Sequence, residues 1–231
     1  MINSHRRAEL YSALIEIVPA LVATAPMGLL FGTLAVTKGM APFEVALMSA
    51  LIFAGGSQFA ALELWQPPLP LVALLLSTAL INSRHIPMGL SLAPKLAALR
   101  PLQRFLGCAV MSDANWAMAE QRASQQPLTP WYFLGMGAAY WANWVLWSTA
   151  GALIGPLLGD PKRFGADFAF VAIFIGLLVS VSKGPRAAWV VAASAAAATL
   201  VHVFAGSPWH IFSGAVAGVT AAMLCRNGEA T

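Results

Sequence analysis

The chain has 231 residues, 59% of them hydrophobic and 10% charged, with a formal net charge of +4 and a mean hydropathy of +0.73. Soluble domains carry about 25% charged residues, so a water-soluble particle of this size is excluded. The Lys and Arg sit in short connectors between apolar runs, which speaks for orientation in a membrane and against a nucleic-acid surface.

Apolar runs of about 20 residues recur, the length that crosses a hydrocarbon core of about 30 Å. Runs such as 69–81 and 187–201 are apolar all round and do not alternate. The expected fold is therefore an all-α, polytopic transmembrane helical bundle and not a barrel. The polar start carries Arg6 and Arg7, and the first span, 14–36, lacks a cleavable leader's small-residue site. A second span is expected at 43–64, with Gly55 and Gly56 in its middle. Pro67, Pro68 and Pro70 then mark a turn. Two short apolar pieces, 69–81 and 86–99, flank the polar cluster Asn82-Ser83-Arg84-His85, the pattern of a broken or re-entrant helix. Further spans are expected at 105–119, 131–158, 166–182, 187–205 and 209–225, separated by a polar loop at 120–130, a connector at 159–165, and breaks at 183–186 and 206–208. This gives about seven or eight membrane elements. The distribution of Lys and Arg over the loops tips toward re-entry of 69–99.

With no basic tail and no soluble domain, the chain reads as one transmembrane domain over 1–231. Two halves, 14–120 and 130–226, share a loose pattern of long spans followed by a break with His near Pro: His85-Ile86-Pro87 in one, Pro208-Trp209-His210 in the other. Transporters are often built from such repeats, with their sites at broken helices. Similar patterns also arise wherever Gly and Pro interrupt apolar sequence.

Ionisable groups inside spans cost about 2.5–3.5 kcal/mol on insertion scales, which marks them as functional. Arg84 has Asn82, Ser83 and His85 around it and could hold a carboxylate through a bidentate pair; the other reading is an Arg snorkelling to the interface. Adjacent glycines weaken a helix by about 1 kcal/mol each. Local unwinding at Gly55 and Gly56 would free backbone polar groups beside Ser57 and Gln58; close helix packing is the alternative. Asp113, with Asn115 two residues on, could bind an ammonium group or a proton, or pair with Arg84. His85, Asp113 and Glu63 are the candidates for proton coupling. Pro26, Gly28 and Gly32 read as a kink and a small-residue packing face. Trp141 and Trp144 share a helix face beside Asn143. Cys108 and Cys225 lie singly in apolar runs, with no metal or disulfide spacing. No metal, cofactor, nucleotide-binding or catalytic motif is expected, so the chain does not read as an enzyme.

The order Ala25-Pro26-Met27-Gly28-Leu29-Leu30-Phe31-Gly32, Phe53-Ala54-Gly55-Gly56-Ser57-Gln58-Phe59, Asn82-Ser83-Arg84-His85 and Ser112-Asp113-Ala114-Asn115-Trp116-Ala117 resembles the AzlC family of branched-chain amino-acid permeases. Ser83, Ile86-Pro87-Met88 and Asn115 depart from the family's usual residues. The resemblance implies secondary export of branched-chain amino acids, valine and its relatives, from a bacterial inner membrane. It also implies a small AzlD-type membrane partner. In that reading Arg84 and unwound backbone at 55–58, with Asn82 and Asn115 near, hold the carboxylate, Asp113 holds the ammonium group, and apolar walls take the side chain. The other readings are a channel or transporter for a different small solute, and a membrane scaffold for the partner.

Overall fold

The computed structural model describes residues 2–158, 175, 184–205 and 209–227. The expected connector at 159–165, the span at 166–182 and the break at 206–208 lie outside those residues. Among the described residues the chain is helical, with no strand: α1 (Ile2–Thr37), α2 (Pro42–Ile52), α3 (Gly55–Glu63), α4 (Leu71–Asn82), α5 (His85–Leu92), α6 (Pro101–Ala109), α7 (Asp113–Ala123), α8 (Pro130–Leu158), α9 (Pro185–Ala205) and α10 (Trp209–Asn227). This is an all-α membrane bundle. The chain divides into two compact units, one of Met1–Leu62 with Asn82–Pro161, the other of Glu63–Ile81 with Lys162–Thr231.

The first unit is built on α1 and α8, which run side by side in the same direction. Leu10 meets Gly135, the Asn143 amide donates to Leu21 O at 3.2 Å, and Thr33 meets Gly155. Lipid gives apolar helices no hydrophobic drive to associate, so close backbone approach has to supply the contact. Gly28 and Gly32 on α1 interlock with Gly151 and Gly155 on α8. A Cβ on Gly32 would overlap the Ser148 carbonyl oxygen and come within 2.6 Å of Ala152 N. Pro19 and Pro26 both lie inside α1, where their missing N–H groups leave the Ile15 and Val22 carbonyls without helical partners.

Two hairpins enter this unit from opposite ends. After α1 the chain turns at Gly39, and Glu44 accepts from the Ala41 N–H at 2.7 Å to start α2. Running back along α8, α2 brings Ser49 Oγ to 2.8 Å from Ser148 Oγ and Phe53 to 6.0 Å from the Tyr140 ring. Phe53 adopts φ 39°, a left-handed conformation that reverses the chain. The returning α3 sets Gln58 Nε2 3.2 Å from Ser49 Oγ and Phe59 5.4 Å from the Phe31 ring. The expected second span is therefore a re-entrant pair of short helices; the break lies at Phe53-Ala54, and residues 55–58, where unwound backbone was expected, are instead the first turn of α3, started by the left-handed Phe53.

The expected span at 105–119 is also broken, at Val110–Ser112. In α6, Gly107 lies under the Phe133 ring, and Val110 packs on Gly137. The chain then reverses, and α7 runs back until the Arg122 guanidinium covers the Tyr132 ring at 4.2 Å. Asn115 makes the reversal possible at this depth. Its Oδ1 accepts from Ser112 N–H at 2.6 Å, and its Nδ2 donates to Val110 O at 2.7 Å. The side chain thus satisfies backbone groups that the broken helix cannot. The two hairpin tips rest against Tyr140 and Gly137, about 4.5 Å apart along α8.

The segment that the loop charges assigned to re-entry reads differently. Leu71–Leu92 is a 22-residue helical stretch, long and apolar enough to cross a membrane. It is interrupted only at Ser83-Arg84, and Arg84 itself keeps helical angles (φ −56°, ψ −25°). In the second unit α9 and α10 pack as a pair: Ser194 Oγ donates to Gly214 O at 2.8 Å, and the His202 and His210 rings lie 5.0 Å apart. α9 is likewise long and apolar enough to cross.

Candidate functional site

Three short helices of the first unit, α3, α5 and α7, begin at backbone breaks, and side chains link the three starts. Asn82 Nδ2 donates to Ser57 Oγ at 3.3 Å, tying the start of α5 to the first turn of α3. Two residues on, Arg84 Nη1 meets Asp113 Oδ2 at 2.8 Å, tying it to the start of α7. A helix start carries unsatisfied N–H groups and a positive dipole end, which favour an anion. Asp113 in the first turn of α7 suits that field. Arg84, ahead of α5, adds a full positive charge to it.

The pair is open. Arg84 and Asp113 side chains are 40% and 56% exposed, and such pairs contribute at most about 1 kcal/mol. Beneath it lie two buried polar atoms without partners, Asn82 Oδ1 and Arg84 Nε. Each orphan of this kind costs about 1–3 kcal/mol. One is an acceptor and the other a donor, as a ligand bearing both an ammonium group and a carboxylate would require.

The remaining sequence candidates divide by where their polar groups are directed. Ser57 Oγ donates to Ala54 O at 2.9 Å and faces Asn82. Gly55 lies under the Trp144 ring, where a Cβ would be 3.0 Å from its edge. Gln58 is fully buried; Trp144 Nε1 donates to its Oε1 at 2.8 Å, and its Nε2 reaches Ser49. Its amide therefore joins α3 to α2 and α8. Asn115 is directed into the α6–α7 reversal. His85 Nδ1 lies 3.0 Å from Asn82 O, a donor geometry when that nitrogen carries the proton. Glu63 is exposed at the end of α3. Pro26, Gly28 and Gly32 belong to α1 and its seam with α8.

A second cluster was not singled out from the sequence. Arg122, near the end of α7, donates to Glu9 Oε1 at 2.9 Å, Ser12 Oγ at 3.0 Å and Glu16 Oε1 at 3.1 Å on α1. Tyr132 OH donates to Glu16 Oε2 at 2.5 Å, and Thr129 Oγ1 to Glu9 Oε2 at 2.8 Å. Beside it lies a cavity of about 390 Å³ lined by Glu16, Met118, Gln121, Arg122, Gln125 and Gln126. Glu16, an ionisable residue inside an apolar run, was the available signal. Between the clusters, Glu120 pairs with Lys95 and accepts from Ser91 Oγ at 2.7 Å. Burial alone would raise its carboxyl pKa. The hydrogen bonds from Lys95 and Ser91 and the Lys95 charge outweigh that and hold it below the ordinary glutamate range.

The AzlC protein family profile matches residues 19–158, a stretch that contains both clusters' α7 and α8 residues and the whole Arg84–Asp113 site. An uncharacterized membrane protein of Archaeoglobus fulgidus is 31% identical over 168 residues, covering 72% of this chain and 73% of that protein. The inner membrane protein YgaZ of Escherichia coli K12 is 26% identical over 212 residues, covering 89% and 86%. The branched-chain amino acid transport protein AzlC of Bacillus subtilis is 23% identical over 187 residues, covering 77% and 72%. No solved structure matches the chain.

Proposed function

The chain belongs to the AzlC family of membrane proteins, and on that premise we propose that it is a secondary transporter exporting branched-chain amino acids, valine and its relatives. It works as a multi-pass protein of a bacterial inner membrane with a small AzlD-type partner, and it carries out no chemistry on its cargo. The name of the Bacillus subtilis relative supports the cargo class. The single observation that carries the site is the pair of orphaned buried atoms, Asn82 Oδ1 and Arg84 Nε, under an ion pair that opens at little cost.

An amino-acid zwitterion replaces the pair without stranding a charge. Its carboxylate takes the Arg84 guanidinium, edge-on to Nε and one Nη, the bidentate geometry such a fork favours. Its ammonium group takes Asp113 and Asn82 Oδ1. The positive helix starts at Gly55 and His85 support the carboxylate. Discrimination among apolar side chains is worth only about 1–3 kcal/mol per methylene, so valine, leucine, isoleucine and methionine overlap as cargo. Protons are the coupling ion, and His85, Asp113 and Glu63 are the residues that would carry them.

The test is efflux of preloaded radiolabelled valine from cells making this chain, with and without the partner, beside an Arg84→Ala control. Faster efflux that disappears in Arg84→Ala supports the reading. Efflux equal to empty cells for every branched-chain amino acid, with the partner present, refutes it.

A further inference from the structure

The two re-entrant hairpins are held by different forces. The α2–α3 hairpin is fixed by buried neutral bonds: Ser49 with Ser148 and Gln58, and Gln58 with Trp144, with Ser49, Gln58 and Ser148 all fully buried. Such a network has no water to compete with it and acts as a rigid mount. The α6–α7 hairpin packs Gly107, Val110 and Ala119 inside the unit and has one neutral bond, from Trp116 Nε1 to Ser91 Oγ at 2.9 Å, but its α7 arm is otherwise tied to other elements by ions. Each charged side chain of α7 is paired with another element: Asp113 with Arg84 of the α5 start, Glu120 with Lys95, and Arg122 with Glu9 and Glu16 of α1. All these groups keep some contact with solvent. The Arg84–Asp113 and Lys95–Glu120 pairs are open enough to exchange with water and with other charges, whereas Arg122, 11% exposed, is screened less and holds its two carboxylates more firmly.

α7 is also a short rod. Asp113 is its first residue and Arg122 lies nine residues on, about 13.5 Å along the axis. A cavity opens beside the Arg122 end, and Arg122 and Glu16 form part of its wall. The Arg122 end of the rod therefore borders a space into which it could move.

We propose that the α6–α7 hairpin is the moving gate of the Arg84–Asp113 site, and that Arg122 is its latch. Arg122 is a positioning residue: engaged with Glu9 and Glu16 it keeps Asp113 against Arg84, and disengaged it opens the site toward the end of the bundle where α8 begins. This rests on the reading of Arg84–Asp113 as the binding site, and the experiment separates the two.

A reporter cysteine at Ala114, in a Cys108→Ser, Cys225→Ser background, is labelled with a membrane-impermeant maleimide in vesicles of each orientation. No substrate is added. Arg122→Gln raises the labelling rate from the face bearing the α8 start by about tenfold, and Arg122→Lys, which can still hold one carboxylate, by less. Glu9→Gln combined with Glu16→Gln, which removes the same two ion pairs from the α1 side, raises the labelling rate as Arg122→Gln does, and adds little when combined with it. The carboxylate variants leave Arg122 in place, so they test the latch even where Arg122→Gln folds poorly. An equal rise in Trp144→Phe, which loosens the fixed hairpin, would show general softening and overturn the latch. So would a labelling rate insensitive to both Arg122→Gln and the Glu9→Gln, Glu16→Gln pair. Valine is then added as a separate arm. If the latch responses hold and valine never alters labelling, the gate stands and the cargo reading falls.

Discussion

Gly32→Ala should destabilise this protein, and Gly89→Ala should not. Both glycines lie in helices, and in an unconstrained helix the change gains about 1 kcal/mol. At Gly89 a Cβ would meet nothing within 4 Å, so that gain should appear whole. At Gly32 the new Cβ would overlap the Ser148 carbonyl oxygen and sit 2.6 Å from Ala152 N and 2.9 Å from Ser148 C. All three are backbone atoms of α8, which no rotamer change can move. The helices must part by about 1 Å, a gap that forfeits a quarter to a half of each contact along the seam. Overpacking of this kind costs about 1–3 kcal/mol. The Thr33 hydroxyl, 3.2 Å from Gly151 O, would be pulled from its partner as well. For a chain of this size each kcal/mol shifts the melting temperature by about 2–4 °C. Net of the propensity gain, thermal unfolding in detergent should therefore show Gly32→Ala lowered by up to roughly 8 °C and Gly89→Ala level with the wild type or above it. Equal melting temperatures for the two variants would refute the close parallel seam between α1 and α8.

Arg84→Lys should cut transport by more than tenfold while leaving folding intact, because a lysine cannot supply the bidentate fork; the ratio of efflux rates at equal expression measures it. Trp144→Phe should lower stability by about 1–3 kcal/mol, since the buried Gln58 Oε1 loses its donor, read from the same unfolding assay. Glu120 titrates below the ordinary glutamate range, so its contribution is present above that range and lost as pH falls through the lowered value. Glu120→Gln should be less stable than the wild type at pH 7 by up to about 1 kcal/mol, and unfolding curves taken into acid should show the gap closing.

Much of the fold could be read from composition and run length. The membrane class and the all-helical architecture follow from too few charges and apolar runs of spanning length. The breaks at Phe53-Ala54 and Ser83-Arg84 carried local marks, adjacent glycines just after one and a polar cluster around the other. The break at Val110–Ser112 carried neither Gly nor Pro, and its turn is made by the Asn115 side chain, which looks in sequence like any polar residue in a span. The 105–119 stretch therefore read as continuous. The loop charges tip only faintly toward re-entry of 69–99, because they report loop location and not hairpin geometry. The Arg122 cluster was missed because its groups lie 106 and 113 residues apart in the chain, and only the parallel packing of α1 and α8 beside α7 unites them. Gln58 was singled out for its polarity, and that polarity is directed to the mount of the α2–α3 hairpin.

The central claim is that a zwitterion is held between Arg84 and Asp113. Its most direct test is binding of radiolabelled valine to the purified protein, competed by unlabelled valine, valine methyl ester and N-acetylvaline. The account predicts that valine competes, that both blocked forms fail because each lacks one charged end, and that Arg84→Ala abolishes binding. Undiminished valine binding to Arg84→Ala, or equal competition by the methyl ester, would contradict it.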